Sequence, residues 1–195
     1  MRSAHVTRKT GETDIDITLE LDRQTDIDVK TGVPFLDHML DAFAKHGVFG
    51  LRIQANGDIE IDIHHTNEDV GITLGQAFAQ AYADKKGIVR FATAYVPLDE
   101  ALVRTVVDIC GRPYMDVEPK QITYPEKDIY TWGYFQQFLR AFSNAAGINV
   151  HVDVIRGTDP HHILECAFKS LGIALGRAAG IDPRKDGVPS TKGVL

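Results

Sequence analysis

The segment DIHHTNED, residues 62–69, is matched 97 residues later by DPHHILEC, residues 159–166. Both contain an aspartate, two adjacent histidines and a glutamate four residues after the first histidine. Further matches at nearly the same spacing are Gly75/Gly172, Phe35/Tyr134, Leu40/Leu139, Ala42/Ala141 and Phe43/Phe142. A repeat at about half of a 195-residue chain indicates internal duplication. The sequence therefore predicts one domain, 1–195, made of two similar halves at about 1–92 and 93–195.

The hydrophobic patterns predict an α+β fold in which helices cover the sheets of both halves. Alternation predicts a strand over 15–21, and Asn56-Gly57 between two alternating runs predicts a β-hairpin. Helical spacing predicts one helix over 35–46 and another from Asp62, as N-cap, to near Gly87. The second half is predicted to contain strands over 101–109, 114–118 and 148–155, a helix over 134–145, and a helix from the N-cap Asp159 to about Ala179.

Composition excludes several classes of protein. With 44% hydrophobic and 25% charged residues, disorder, collagen and coiled coil are not expected. A formal charge of −6 without a basic stripe argues against nucleic-acid binding. The N-terminal segment MRSAHVTRKTGET has no apolar core of a secretory signal, and no apolar run reaches the length of a membrane span, so we expect a cytoplasmic protein without a membrane partner. Cys110 and Cys166 are too few for a disulfide framework and are predicted to be buried free thiols.

Each repeated motif has the spacing of a metal-binding helix. On a helix, His64 and Glu68 lie one above the other, and so do His161 and Glu165. The second histidine of each pair is turned about 100° away and needs another ion or another role. A single His-His pair is usually structural, but two copies suggest two ions, each bound by both copies, with His38 as a further ligand. Such mixed ligands suit Mn, Fe, Co or Zn, and the sequence does not choose among them.

Six separated motifs extend over essentially the whole chain: GVPFLDHML (32–40), HHTNED (64–69), DEA (99–101), CGRP (110–113), HHILECAFK (161–169) and VPSTKG (188–193). With these motifs in this order, the chain resembles the imidazoleglycerol-phosphate dehydratase family of histidine biosynthesis. The resemblance implies duplicated ferredoxin-like α+β halves and a hydro-lyase, that is, a carbon–oxygen lyase. It also implies a homo-oligomer of 24 subunits whose active sites lie at subunit contacts and hold two manganese ions each.

The resemblance implies a ligand set for each ion. One ion would be bound by His38, His65, His161 and Glu165, and the other by His64, Glu68 and His162. In many members a His-Phe-Phe segment supplies a further histidine to the second ion, but here the segment is Gln136-Gln137-Phe138. Gln137 is also the repeat counterpart of His38. Its amide oxygen or a water molecule would take that place, so we expect the second site to be looser.

The resemblance implies that imidazoleglycerol phosphate loses water to give imidazole acetol phosphate. Because the departing proton lies next to an imidazole, two ions on the ring nitrogens would stabilise an imidazolate, which would expel the hydroxyl through a diazafulvene-like intermediate. The implied catalytic residues are Glu12, as general acid or base, His65 and Glu165. The implied substrate-binding residues are Glu12, His38, His46, Arg90, Arg112, Lys169, Ser190 and Lys192. The arginines and lysines among them are cations that suit a phosphate. By themselves, Glu12, Arg90 and Arg112 would be interpreted as ordinary surface charges.

Three other functions fit the sequence less well. A hydrolase or oxidase with a four-helix carboxylate site would need Glu-x-x-His, whereas this chain has His-x-x-x-Glu and strand patterns. A protein in which ions only join subunits would leave the predicted phosphate-binding residues without a purpose. A fused phosphatase domain, as some relatives have, is not expected because 195 residues leave no room for it.

Overall fold

The computed structural model describes residues 1–123 and 130–195. The first half contains β1 (Ser3–Lys9), β2 (Thr13–Glu20), β3 (Ile27–Lys30), α1 (Pro34–Gly47), β4 (Gly50–Gly57) and α2 (His64–Tyr82). The second half contains β5 (Phe91–Leu98), β6 (Ala101–Asp108), β7 (Tyr114–Glu118), α3 (Trp132–Ala146), β8 (Asn149–Arg156) and α4 (Pro160–Ala179). Both halves therefore have the same order of elements, three strands, a helix, a strand and a helix.

The two sheets have the same topology. Their strand orders are β1-β2-β4-β3 and β5-β6-β8-β7, and the two central strands of each sheet pair antiparallel. In each sheet the outer strand before the first helix, β3 or β7, pairs parallel with the strand that follows the helix. The predicted α+β fold with duplicated halves is confirmed, and the division near residue 92 stays a prediction.

The helices of the two halves interlock. α1 packs against α4, and α2 packs against α3, while α2 covers β1 and β2 and α4 covers β5 and β6. The buried apolar side chains of both halves form one cluster. Glycines allow the close helix contacts: a Cβ on Gly172 would lie 2.2 Å from the carbonyl oxygen of Phe43, and one on Gly75 would lie 2.5 Å from that of Phe142. Each helix pair therefore joins residues from opposite halves.

The predicted hairpin at Asn56-Gly57 is wrong. β4 ends at Gly57, and the following residues form a turn in which the Ile61 N–H donates to the carbonyl oxygen of Asp58. A return strand has no free edge to join, because β4 is already paired with β2 on one side and with β3 on the other. Tertiary pairing thus overrides a strong local turn signal.

The remaining sequence predictions differ from the structure mainly at element ends. Asp62 accepts a hydrogen bond from the His64 N–H at 2.9 Å, but the N-cap of α2 is Ile63. α2 ends at Tyr82, before Gly87, because Ala83 has a positive φ of 50°. The predicted N-cap Asp159 is confirmed, since its carboxylate accepts from two N–H groups of α4. The sequence patterns did not predict β1, β3 or β5.

Two further expectations concern the cysteines and membrane-spanning helices. Cys110 and Cys166 are both free and buried, which confirms the prediction made for them. In the described part of the chain, no helix combines the length and the apolar character that crossing a membrane requires.

Candidate metal centre

The contact between α1 and α4 brings together His38, His161 and Glu165, called here the first triad. Their nearest ligand atoms all lie within 4.8 Å of one another. His161 Nε2 is 3.3 Å and His38 Nε2 is 3.7 Å from Glu165 Oε2. Both imidazoles are about half exposed, whereas the carboxylate is 14% exposed. Two imidazoles from opposite halves therefore converge on one largely buried carboxylate.

Lys169, one turn after Glu165 on α4, adds a cation to the first triad. Its ammonium group is 2.5 Å from Glu165 Oε1. Burial raises the pKa of Glu165, but Lys169 and the two histidines outweigh it, so the pKa lies below its ordinary value. The carboxylate is therefore charged at neutral pH and suited to a cation.

A cleft of about 550 Å³ opens beside the first triad. Its lining includes His38, Glu165, Lys169 and His46, together with Asp41 and Lys45 from the same face of α1. Burial, and then the positive charge of Lys169, lower the pKa of His46, so this imidazole is neutral near pH 7. Three predicted substrate-binding residues, His38, His46 and Lys169, thus line one cleft next to the triad.

The contact between α2 and α3 builds a second group from His64, Glu68 and Gln137, called here the second triad. His64 Nε2 is 3.6 Å from Glu68 Oε2 on the next turn of α2. Both side chains are about half exposed, and with Gln137 they line a cleft of about 440 Å³. The repeat therefore places a glutamine here where the first triad has a histidine.

The other histidine of each motif is held by a carboxylate outside the motif. His65 Nδ1 is 3.0 Å from Asp58, and His162 Nδ1 is 2.9 Å from Glu100. These hydrogen bonds raise the pKa of both imidazoles, because a carboxylate stabilises the protonated ring. The backbone N–H of Asp159, followed by the His162 contact, lowers the pKa of Glu100 to about 2.

Carboxylate contacts at Nδ1 orient the two rings in the same way. With Nδ1 engaged, the opposite nitrogen, Nε2, points away from the carboxylate, which is the usual arrangement of a metal-binding histidine and its outer partner. The sequence patterns predict no role for Asp58 or Glu100. Asp58 lay in the mistaken hairpin, and Glu100 belongs to the DEA motif without any spacing relation to His162.

Glu12 lies at the turn between β1 and β2, and its Oε2 is 3.7 Å from His65 Nδ1. Thr13, the next residue, donates a hydrogen bond to buried Asp69 on α2 at 2.6 Å. Asp69 also accepts from Arg8 at 2.8 Å. The turn that carries Glu12 is thereby attached to the first turns of α2, beside His65.

The other predicted phosphate-binding residues lie away from the 550 Å³ cleft. Arg90 donates to Asp108 at 2.8 Å and to the carbonyl oxygen of Pro189 at 2.8 Å, next to Ser190. Its φ of 81° is unusual for a residue with a side chain. Arg112, Ser190 and Lys192 do not line that cleft either. In one chain, therefore, these four residues do not join Lys169 in the lining of the cleft.

The predicted ligand set is likewise only partly assembled in one chain. Within residues 1–123 and 130–195, the group of candidate metal ligands contains the first triad but not His65. The triad supplies two imidazole nitrogens and one carboxylate oxygen, a donor set that suits a divalent transition metal. A bound ion would need further ligands from outside this group.

Known proteins agree with this architecture. A family model described as imidazoleglycerol-phosphate dehydratase matches residues 31–175. Proteins of that name from Caldanaerobacter subterraneus subsp. tengcongensis and Thermoanaerobacter pseudethanolicus are 52% and 51% identical, over the full length of both chains. The Staphylococcus aureus enzyme structure matches with a TM-score of 0.82 at 36% identity, covering 92% of this chain and 99% of its own. The Pyrococcus furiosus enzyme in complex with (S)-C348 matches with a TM-score of 0.83 at 36% identity, covering 97% of this chain and 100% of its own.

Proposed function

Because the chain belongs to the imidazoleglycerol-phosphate dehydratase family and is thus a hydro-lyase of histidine biosynthesis, we propose that it dehydrates its substrate with two divalent ions. The family implies a phosphorylated imidazole as substrate. The reaction would remove water from imidazoleglycerol phosphate through an imidazolate and a diazafulvene-like intermediate. The observation that carries the proposal is the first triad, in which two imidazoles and a carboxylate from opposite halves converge within 4.8 Å.

The proposed ligand sets follow the two triads. One ion would be held by His38, His161, Glu165 and His65, and the other by His64, Glu68, His162 and the oxygen of Gln137 or water. When bound, manganese or another divalent transition metal would act as a Lewis acid toward the ring nitrogens of the substrate and make the neighbouring C–H bond more acidic. Asp58 and Glu100 would orient His65 and His162 and increase the basicity of Nε2 in each ring.

Glu12 is the proposed proton-transfer group. Its carboxylate is about half exposed and lies 3.7 Å from Nδ1 of His65, a proposed metal ligand, which supports a place for it beside the bound substrate. Its ionised carboxylate would remove the proton from carbon, or its protonated form would donate a proton to the leaving hydroxyl. A hydrogen bond from Thr13 to Asp69 attaches the turn of Glu12 to α2, which would keep the Glu12 carboxylate close to His65.

The phosphate would be bound by cations from more than one copy of the chain. Lys169 lines the cleft beside the first triad, whereas Arg90 lies beside the Pro189 and Ser190 backbone. Arg112, Ser190 and Lys192 would join Arg90. This division within one chain, together with the separation of His65 from the first triad, supports active sites at subunit contacts. The corresponding proposal is a cytoplasmic homo-oligomer of 24 subunits.

The test is dehydration of imidazoleglycerol phosphate by protein stripped with a chelator, with and without added Mn²⁺. We expect activity only when the metal is returned, since the proposed proton loss needs the Lewis acid. Full activity in the stripped protein would contradict the two-metal proposal. A folded protein that binds two ions per chain but does not dehydrate this substrate would contradict the proposed reaction. The variants His65→Ala and His162→Ala should remain folded and lose activity.

A further inference from the structure

The two triads are repeat counterparts, but they do not present the same ligands. Glu165 and His161 on α4 correspond to Glu68 and His64 on α2, 97 residues earlier. His38 on α1 corresponds to Gln137 on α3, 99 residues later. The duplication thus gives two similar metal-binding helix pairs, in one of which a neutral amide stands in place of an imidazole.

Hydrogen bonds fix the orientation of the Gln137 amide. Asn67 Nδ2 donates both to the carbonyl oxygen of Tyr134, at 2.9 Å, and to Gln137 Oε1, at 3.0 Å. Tyr130 Oη donates to Asn67 Oδ1 at 2.9 Å. Because a backbone carbonyl can only accept, Asn67 must turn its NH₂ group toward Tyr134, and the same NH₂ group then orients the oxygen of Gln137.

This orientation limits Gln137 as a metal ligand. The only atom that can bind an ion is Oε1, which already accepts a hydrogen bond from Asn67. Nε2 is a donor without a lone pair for a metal, and among residues 1–123 and 130–195 it is buried with no hydrogen-bond partner. Gln137 therefore offers at most one partly used amide oxygen where His38 offers an imidazole nitrogen.

We propose that the two metal sites of this enzyme differ in affinity and in metal preference, with the weaker site at the second triad. This inference rests on the two-metal function proposed above. Imidazole binds later transition metals such as Co²⁺ and Zn²⁺ well, whereas carbonyl oxygens suit Mn²⁺. Replacing nitrogen by oxygen therefore weakens Zn²⁺ binding at the second triad more than Mn²⁺ binding. The protein therefore has two classes of divalent-ion site, a tighter one and a weaker one. The ratio of their dissociation constants is larger for Zn²⁺ than for Mn²⁺.

The test measures metal binding to the stripped full-length protein by equilibrium dialysis and calorimetry, with Zn²⁺ and Mn²⁺ in parallel. We expect two ions per chain in two classes, separated for Zn²⁺ by roughly tenfold or more and for Mn²⁺ by less. Gln137→His should tighten the weaker Zn²⁺ class by about tenfold and bring the two classes together. His38→Gln, the reciprocal exchange, should weaken the tighter class by a similar factor.

The matched control is Gln136→His, which adds an imidazole to the same cleft one residue away from the repeat position. In the unmodified protein the Gln136 amide donates to the carbonyl oxygen of Lys120 at 2.8 Å. The control should leave both classes unchanged. If Gln137→His does not fold, Gln137→Glu supplies a charged oxygen at the same position and should also tighten the weaker class.

The inference would be overturned if the two ions bound the unmodified protein with equal affinity. It would also be overturned if Gln137→His left the weaker metal affinity unchanged, or if Gln136→His raised it as much as Gln137→His does. Equal affinities together with metal-dependent dehydration would leave the proposed function standing. Metal binding that is unaffected by His38→Gln and Glu68→Gln would overturn the two-metal function and the inference with it.

Discussion

Carboxylates next to histidines decide which ring nitrogen of the second histidine in each motif is engaged within the chain. His65 and His162 occupy equivalent positions in the two repeats, and each has Nδ1 on a carboxylate, Asp58 or Glu100. The two carboxylates come from unrelated positions in the chain, one after β4 and the other between β5 and β6. The same ring orientation is therefore maintained by different residues in the two halves.

Removal of either carboxylate should weaken metal binding. For Asp58→Asn and Glu100→Gln we expect a loss of about 10- to 100-fold in affinity for one ion, because the outer partner no longer orients the ring or increases its basicity. Metal titration of the stripped protein measures the effect. Asp16→Asn is the matched control, since Asp16 contacts His5 at 3.0 Å in a histidine–carboxylate pair outside the site. Unchanged affinity in both site variants would contradict His65 and His162 as ligands.

Glu12 offers a separate test of the chemistry. Glu12→Gln keeps the shape of the side chain but removes its capacity to take a proton, so kcat should fall by about 10²- to 10⁴-fold. Metal content should not change, because Glu12 is not a proposed ligand. Asp14→Asn, two residues along and paired with Lys9, serves as the control and should keep its activity. A Glu12→Gln enzyme with normal kcat would exclude the proposed role.

At the scale of elements, the two close helix contacts assemble the triads. A Cβ on Gly172 of α4 would lie 2.2 Å from the backbone of Phe43 on α1, so this position keeps the helices near enough for His38 to reach Glu165. Gly75 of α2 has the same relation to Phe142 on α3. The repeated glycines therefore allow the close helix contacts that bring the triad residues together, in addition to packing in the core.

Gly172→Ala should separate α1 from α4. We expect a loss of about 1–3 kcal/mol in the free energy of unfolding, because the neighbouring atom is backbone and cannot turn aside. Gly133→Ala on α3 is the control: within residues 1–123 and 130–195 its Cβ would meet only Thr131 Oγ1, at 3.5 Å, and alanine favours a helix. Urea unfolding at a fixed subunit concentration compares the two variants. Equal stabilities would contradict the close contact as the reason for the glycine.

At the scale of the whole molecule, interlocked halves make each triad from both repeats. α1 of the first half packs on α4 of the second, and α3 of the second packs on α2 of the first. Neither half alone contains a complete triad. His65 contacts Asp58 and Glu12 rather than the first triad, and this separation is the basis of the proposal that copies of the chain share a site.

Mixed assemblies test whether copies share a site. His65→Ala and His161→Ala should each be inactive alone, since each removes a different proposed ligand of the same ion. Assembled together in equal amounts, they should recover about one quarter of the activity, because one site in four then draws both intact histidines from different copies. Activity of the mixture and of the separate variants is compared at equal metal content. No recovery in a mixed oligomer would contradict a shared site.

The sequence by itself determined the duplication, the α+β class, most helices and strands, and the candidate ligands, because these depend on local periodicity and on a motif whose spacing is set by the helix. Only the tertiary structure decided that β4 has both edges occupied, which removed the hairpin at Asn56-Gly57. It also decided that Asp58 and Glu100 hold the second histidines and that Asn67 orients Gln137. These contacts join residues far apart in the chain or on separate elements. No local pattern encodes such contacts, since each forms only once separate elements of the chain have packed together.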